Sequence, residues 1–297
     1  IIALNLFRDQ LDRYGELDAI AKKWKDSFVH LSEKTSLILN ADDPLIAFLG
    51  SDIKIPVKYF GLEEKGKETV SAADTLYCPR CRERLRFTKT YYAHLGIWSC
   101  PKCNFTRPTP ESIAIRYPLE GTYNRYNTLA AAIAAKTIGI TEKNIQESLT
   151  KVTPAFGRQE KLTVKGKKIQ ILLSKNPTSM NESLQTIQEK GATHILFVLN
   201  DRIPDGRDVS WIWDIALESY VENFRSIFVG GDRAYDMALR LQYAQEKQTE
   251  NFITDDHLPS LLQKATTAIP QNETLYILPT YSAMLEVRKL LLGRKML

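Results

Sequence analysis

The stretch IQILLSKNPTSMNESLQTIQEKGATHILFVLN, residues 169–200, decides the fold. It holds two short apolar runs, 169–173 and 195–199, each too short for a helix and bounded by polar turn-formers. Residues 181–190 between them read as a helix. A strand, a helix and a strand in that order require a crossover, and a crossover makes the two strands parallel. Near-continuous apolar character is what a strand covered on both faces needs. Toward the C-terminus the pattern continues with a loop at 200–207, a helix at 211–221, a strand at 226–229, a helix at 233–243, a strand at 275–278 and a helix at 282–291. Toward the N-terminus it runs back through a strand at 1–6, a helix at 17–31, a short apolar run at 36–39, a strand-like run at 54–60 and an alanine-rich helix at 127–138. Gly139 follows where that helix should stop. Residues 152–156 read as a linker. The expectation is an α/β protein with two domains, 1–153 and 154–297, each long enough for its own core.

Cys78-Pro79-Arg80-Cys81 and Cys100-Pro101-Lys102-Cys103 contain all four cysteines of the 297-residue chain. Two CxxC knuckles at this separation match the spacing of a four-thiolate zinc site. Two disulfides or free buried thiols are the alternative. Four protein ligands close a tetrahedral sphere, so such a metal is structural. The module is expected at 74–107, with Tyr91, Tyr92 and Trp98 on its apolar faces.

Composition excludes several classes. The chain is 43% hydrophobic and 25% charged, ordinary for a globular protein. A net charge of +5 suits acidic ligands such as nucleotides but is too small to argue for nucleic acid. No apolar run approaches the roughly 20 residues that span a bilayer. Metal-binding cysteines with none to spare point to a reducing, cytoplasmic setting. The opening Ile1-Ile2-Ala3-Leu4 has no Met and reads as the interior of a strand, as in a fragment of a longer chain.

Polar clusters recur after the strands. Residues 5–15 (NLFRDQLDRYG) follow the first, 40–44 (NADDP) the second, 174–177 (SKNP) the run at 169–173, and 200–208 (NDRIPDGRD) the run at 195–199. Open α/β sheets bind ligands at these carboxyl ends. Each cluster alone is also ordinary turn chemistry.

These segments, with LNADDP at 39–44, GTYNRYNTLAAA at 121–132 and GRQE at 157–160, occur in the order found in the Mur ligases, which build the peptidoglycan peptide stem by ATP-driven amide formation. The chain resembles that family along essentially its whole length. The cysteine ribbon and DGRDVSWIWD at 205–214 resemble the branch that amidates lipid II. The resemblance implies a Mur ligase central domain carrying the ribbon, followed by a Rossmann-like, partner-binding C-terminal domain. It implies ATP, Mg²⁺, structural zinc and a heterodimer with a glutaminase subunit resembling GatD. The implied reaction converts the D-glutamate α-carboxyl of the lipid II stem to D-isoglutamine through an acyl phosphate, at the inner face of the membrane.

Carried over residue by residue, the resemblance points to Asn124 and Asn127 for nucleotide contact, although Asn127 could equally cap its helix. It points to Arg158 for the nucleotide, with an ion pair to Glu160 as the alternative, and to Lys175 and Asn176 facing the phosphates and the acceptor. It gives Asp208, or second Asp214, the task of completing the partner's Cys–His triad. Asp205 reads as a turn residue. Trp211 and Trp213 suit either a partner interface or helix packing.

The departures matter too. Asp9-Gln10 stands where many Mur ligases have Asp-His, which weakens the case for a magnesium contact through Gln10. Lys22 or Lys23 could match the family's carbamylated lysine, or lie on a solvent face. The GTNGKT phosphate loop is absent from these residues; the resemblance places it before residue 1. The stretch 108–121 reads as short for the family. Two other classes stay open: a degenerate ligase scaffold for a glutaminase, and a nucleic-acid protein using Arg80, Arg82, Arg84, Arg86, Lys89 and Lys102 with the ribbon aromatics. No further nucleic-acid motif supports the second.

Overall fold

Leu37, Ile38, Leu39 and Asn40 form a strand buried at every position. Its odd and even side chains enter different cores, as the two-residue period of a pleated strand requires. The computed structural model describes residues 1–8, 15–63, 75–153, 158–245 and 252–293. Asp9, Gln10, Asp74 and Gly157 lie outside the described residues. The chain divides into two compact units, Ile1–Thr153 and Pro154–Leu297.

In unit 1, β1 (Ile2–Ala3), β2 (Leu37–Asn40) and β3 (Val57–Phe60) form a parallel sheet with β2 in the centre. Ile2 is in register with Ile38, and Leu39 with Tyr59. Leu37 and Leu39 face a core with α1 (Leu17–Phe28) and α2 (Pro44–Leu49). Ile38 and Phe60 face the opposite core. There α3 (Thr122–Thr137) contributes Tyr126, Leu129, Ala130 and Ile133, the i, i+3, i+4, i+7 stripe of an amphipathic helix. A further helix, α4 (Glu142–Leu149), follows it. The ribbon is the antiparallel hairpin β4 (Arg86–Tyr92) and β5 (Leu95–Ser99) with its two cysteine knuckles.

The sequence suggested that Asn127 could open the alanine-rich helix. It does not. The helix begins a turn and more earlier, with Gly121 at its N-cap in a left-handed conformation (φ +89°). That conformation suits glycine, and the early start brings Tyr126 under β2.

In unit 2, β6 (Arg158–Val164), β7 (Lys167–Leu172), β8 (His194–Val198), β9 (Ser226–Gly230), β10 (Phe252–Thr254) and β11 (Thr274–Pro279) form a sheet in the order β10-β9-β8-β11-β7-β6. All described pairings are parallel except β6 with β7. Ile195, Phe197 and Leu199 face a core with α5 (Pro177–Glu189) and α6 (Ala234–Ala244). Leu196 and Val198 face the other core, with α7 (Leu258–Ala268) and α8 (Tyr281–Leu292).

Two expectations are corrected here. The sequence reading assigned no element to residues 158–164, between the linker at 152–156 and the strand at 169–173, yet they form β6. It pairs through the two-residue turn Lys165–Gly166, both at positive φ (+49° and +78°), the geometry tight hairpins favour. The helix read at 211–221 is three short 3₁₀ turns, Ser210–Asp214, Leu217–Ser219 and Val221–Asn223. Buried Arg240 on α6 donates to the carbonyls of Ile212 (3.1 Å) and Ile215 (2.6 Å), which takes those acceptors away from an α-helical ladder.

Candidate functional sites

The four cysteines meet as the sequence predicted. Their sulfurs lie within 4.8 Å of one another. Cys78 Sγ and Cys103 Sγ are 3.6 Å apart, and Cys81 Sγ and Cys100 Sγ 3.4 Å. Four thiolates about 2.3 Å from one tetrahedral ion sit about 3.8 Å from each other, so the donor set fits zinc. At Cys100, burial acts upward, but the amides of Cys103 and Lys102 and the sulfurs of Cys81 and Cys103 together bring the thiol down to about 6. Burial pushes the Cys78 thiol up to about 12. The ribbon's aromatics turn inward. Trp98 is buried and donates from Nε1 to the Ala41 carbonyl at 3.1 Å. Tyr92 packs edge-on against Phe7. Arg80 lies over the Phe105 ring, and Arg82 pairs with Asp18.

The tip of β2 gathers buried polar groups. Asn40 Nδ2 donates to the Leu4 carbonyl at 2.9 Å. Asp43 caps α2, accepting from the amides of Leu45 and Ile46 at 2.9 and 3.2 Å. Its second oxygen accepts from Leu6 N at 2.8 Å and lies 3.4 Å from His94 Nε2. Asp42 is fully buried and accepts from Arg107 Nε (2.5 Å), Tyr126 Oη (2.7 Å) and Leu62 N (2.9 Å). Burial pushes the Asp42 carboxyl up, and Arg107 pulls against it. Burial, then Asp42, raise the Tyr126 phenol. Sequence reasoning found Asp42 and Asp43 as a polar cluster but missed Arg107, Tyr126 and His94, whose roles exist only through long-range contacts.

Asn124 and Asn127 occupy the first two turns of α3, one helical turn apart. Asn124 is buried and donates from Nδ2 to the Glu120 carbonyl at 2.6 Å. Asn127 is half-buried. Lys22 and Lys23 are both exposed on α1, while Lys25 is held by Phe48 O and Ser51. Burial lowers the Lys25 ammonium.

In unit 2, Arg158 opens β6 in register with Leu172, so its backbone lies beside the end of β7. Glu160 pairs with Arg288 of α8. Lys175 and Asn176 follow β7. Asn176 caps α5, accepting from Ser179 N at 2.8 Å in a capping box. Asp208 is exposed and accepts from Ser210 N at 2.8 Å; the hydrogen bonds from Ser210 hold its carboxyl below the usual range. Asp214 is also exposed, at the end of the same 3₁₀ turn. Asp205 is buried and engages Ser282 through N (2.8 Å) and Oγ (2.5 Å). Trp211 packs on the core. Trp213 is 49% exposed and stacks edge-on with Tyr243, itself 71% exposed.

Among the described residues no helix is long and apolar enough to cross a membrane. Residues 2–135 match the Mur ligase middle domain, and residues 173–284 the MurT ligase C-terminal region. The MurT subunit of lipid II isoglutaminyl synthase (glutamine-hydrolyzing) from Streptococcus pneumoniae is 32% identical over 99% of this chain and 70% of its own length. Its Staphylococcus aureus counterpart is 31% identical over 82% of this chain and 60% of its own length. Among solved structures, a pseudomurein peptide ligase type C from Methanothermus fervidus superposes with a TM-score of 0.74 at 23% identity, covering 98% of this chain and 62% of that one. MurF from Acinetobacter baumannii gives 0.63 at 17%, covering 99% and 59%. The chain thus spans about three-fifths of the staphylococcal relative and of these solved structures.

Proposed function

The chain belongs to the MurT family of Mur ligases, and from that premise we propose that it carries the synthetase part of an ATP-dependent amidation of lipid II. The observation that carries this reading is identity of 32% along 99% of the chain, with both Mur ligase regions matched in order.

A carboxylate resists attack by ammonia because it is anionic and has no good leaving group. In the proposed reaction an oxygen of the D-glutamate α-carboxylate attacks the γ-phosphorus of ATP and ADP departs. Ammonia then attacks the carbonyl carbon of the acyl phosphate. The C–O bond to phosphate breaks, phosphate leaves with one former carboxylate oxygen, and the surplus proton passes to solvent. Bound magnesium would neutralise charge on the transferring phosphoryl group. Asn124 and Asn127 take the adenine side of the nucleotide. Arg158, Lys175 and Asn176 serve its phosphates and the acceptor, supported within unit 2 by the pairing of β6 beside the end of β7. Lys175 supplies positive charge where negative charge develops. Zinc holds the ribbon.

Ammonia comes from a glutaminase partner of the GatD kind. Asp208 is the residue offered to that partner's Cys–His pair. It is exposed, and its Ser210 hydrogen bonds keep it ionised, the form that orients an imidazole. The exposed Trp213–Tyr243 pair, with Trp213 five residues after Asp208 in the chain, suits a partner surface. The complex acts in the cytoplasm on membrane-bound lipid II.

The test uses lipid II labelled with heavy oxygen in the α-carboxyl, given to the complete polypeptide with ATP and an ammonium salt. One labelled oxygen should appear in inorganic phosphate for each amide formed. Amide without labelled phosphate contradicts the acyl phosphate, and no amide at all contradicts the ligase.

A further inference from the structure

The ribbon reaches beyond its own metal site. Residues 94, 96 and 98 alternate onto one face of the hairpin and meet consecutive residues at the tip of β2. Trp98 Nε1 donates to Ala41 O at 3.1 Å, and Gly96 N to Asp42 O at 3.0 Å. His94 Nε2 lies 3.4 Å from Asp43 Oδ2. Past the second cysteine knuckle, Arg107 N donates to Trp98 O at 3.1 Å and its guanidinium to Asp42.

His94 is the part of this contact that ribbon folding does not explain. Its side chain is fully buried, and neither ring nitrogen has a hydrogen-bond partner among the described residues. Burying an unsatisfied polar group is destabilising, and an apolar residue of similar size avoids that cost. The ring sits between two things: Asp43, and Phe7 at 4.8 Å between centroids. Tyr92 closes on Phe7 from the same hairpin tip at 5.2 Å. Asp43 holds the Leu6 amide with the same oxygen that faces His94. The chain leaving β1 is therefore gripped between the tip of β2 and the tip of the ribbon hairpin.

We propose that the ribbon is a clamp on the strand tips of unit 1. His94, acting through Asp43 and Phe7, is a positioning residue for residues 4–8, so that loss of metal from the four cysteines is felt there and at residues 41–43. This stands on contacts within unit 1 and is independent of the ligase reading. If that reading holds, the consequence extends to nucleotide binding.

The experiment is hydrogen exchange read by mass spectrometry on the complete polypeptide, metal-loaded and after chelation. In the wild type, chelation should speed exchange in residues 4–8 and 41–46 by about tenfold, the sign of easier local opening. His94→Leu should retain one zinc per chain and melt no lower than the wild type, yet show the faster exchange at residues 4–8 with metal bound. His94→Gln, which keeps a polar side chain beside Asp43, should restore slow exchange. Exchange at residues 4–8 that ignores chelation, or a metal-loaded His94→Leu protein that exchanges like the wild type, overturns the clamp. Should His94→Leu fail to fold, the wild-type chelation arm decides alone.

Discussion

Arg107 Nε donates to Asp42 Oδ1 at 2.5 Å, across 65 positions of sequence. The pair ties the exit of the ribbon to the tip of the central strand of unit 1. A Cβ at Gly61 would come within 2.6 Å of Asp42 Oδ1 and 2.7 Å of Arg107 Nη2, so only hydrogen fits there.

Removing one partner of a buried ion pair leaves an uncompensated charge and costs about 3–5 kcal/mol. Arg107→Leu should lose that much in urea denaturation. Tyr126→Phe, which removes one hydrogen bond to the same carboxylate, should lose about 1.5–3 kcal/mol. A greater loss from Tyr126→Phe than from Arg107→Leu would contradict this ranking.

Asp208→Asn should lower glutamine hydrolysis by the assembled complex by about two to four orders of magnitude, as expected when a triad loses the carboxylate that fixes its imidazole. Amidation from ammonium salts should stay near the wild-type rate. Asp214→Asn should change glutamine hydrolysis far less. Equal losses in the two variants would remove Asp208 from its assigned role.

Arg240 is 3% exposed and reaches Glu218 as well as the carbonyls of Ile212 and Ile215. Arg240→Met leaves those acceptors unsatisfied and should cost about 2–4 kcal/mol. It should also weaken glutamine-dependent more than ammonium-dependent turnover, because the segment carrying Trp213 and Asp214 loses its anchor. A variant as stable as the wild type would show that the anchor contributes nothing.

Glu273 accepts from Thr193 Oγ1 at 2.8 Å and from His194 at 2.7 Å. The Thr193 hydrogen bond first, and then His194, hold its carboxyl below its ordinary value of 4.5. A depressed carboxylate adds stability above the unfolded value and loses it as pH falls through the folded one. The stability gap between wild type and Glu273→Gln should therefore be full at neutral pH and close below 4.5. A gap that stays constant to pH 3 would contradict the assignment.

Much of this protein could be read from its residues because the decisive signals are local. The spacing of Cys78, Cys81, Cys100 and Cys103 brought out a four-sulfur cluster fit to hold a metal, and the apolar runs around 169–173 and 195–199 brought out the parallel sheet. The misreadings came where local pattern and tertiary context diverge. Residues 211–221 carry enough apolar side chains for a helix, but Arg240, more than a dozen positions on, claims the carbonyls a helix would use. Strand β6 is polar and lies at the sheet edge, so it lacks the apolar run that marks its neighbours. Asp42 and Asp43 look like turn residues beside Pro44. Only the arrival of Arg107, Tyr126 and His94 from distant segments makes them the polar centre of unit 1.

The proposed function is ATP-driven amide formation at a carboxyl group. The direct measurement gives the complete polypeptide lipid II, ATP and ammonium chloride, with and without a glutaminase partner and glutamine, and counts ADP and amidated product. One ADP should appear per amide, with ammonium alone sufficient and glutamine effective only when the partner is present. Amide formed without ADP, or no amide under saturating ammonium while the partner still hydrolyses glutamine, would contradict it and leave the chain a scaffold.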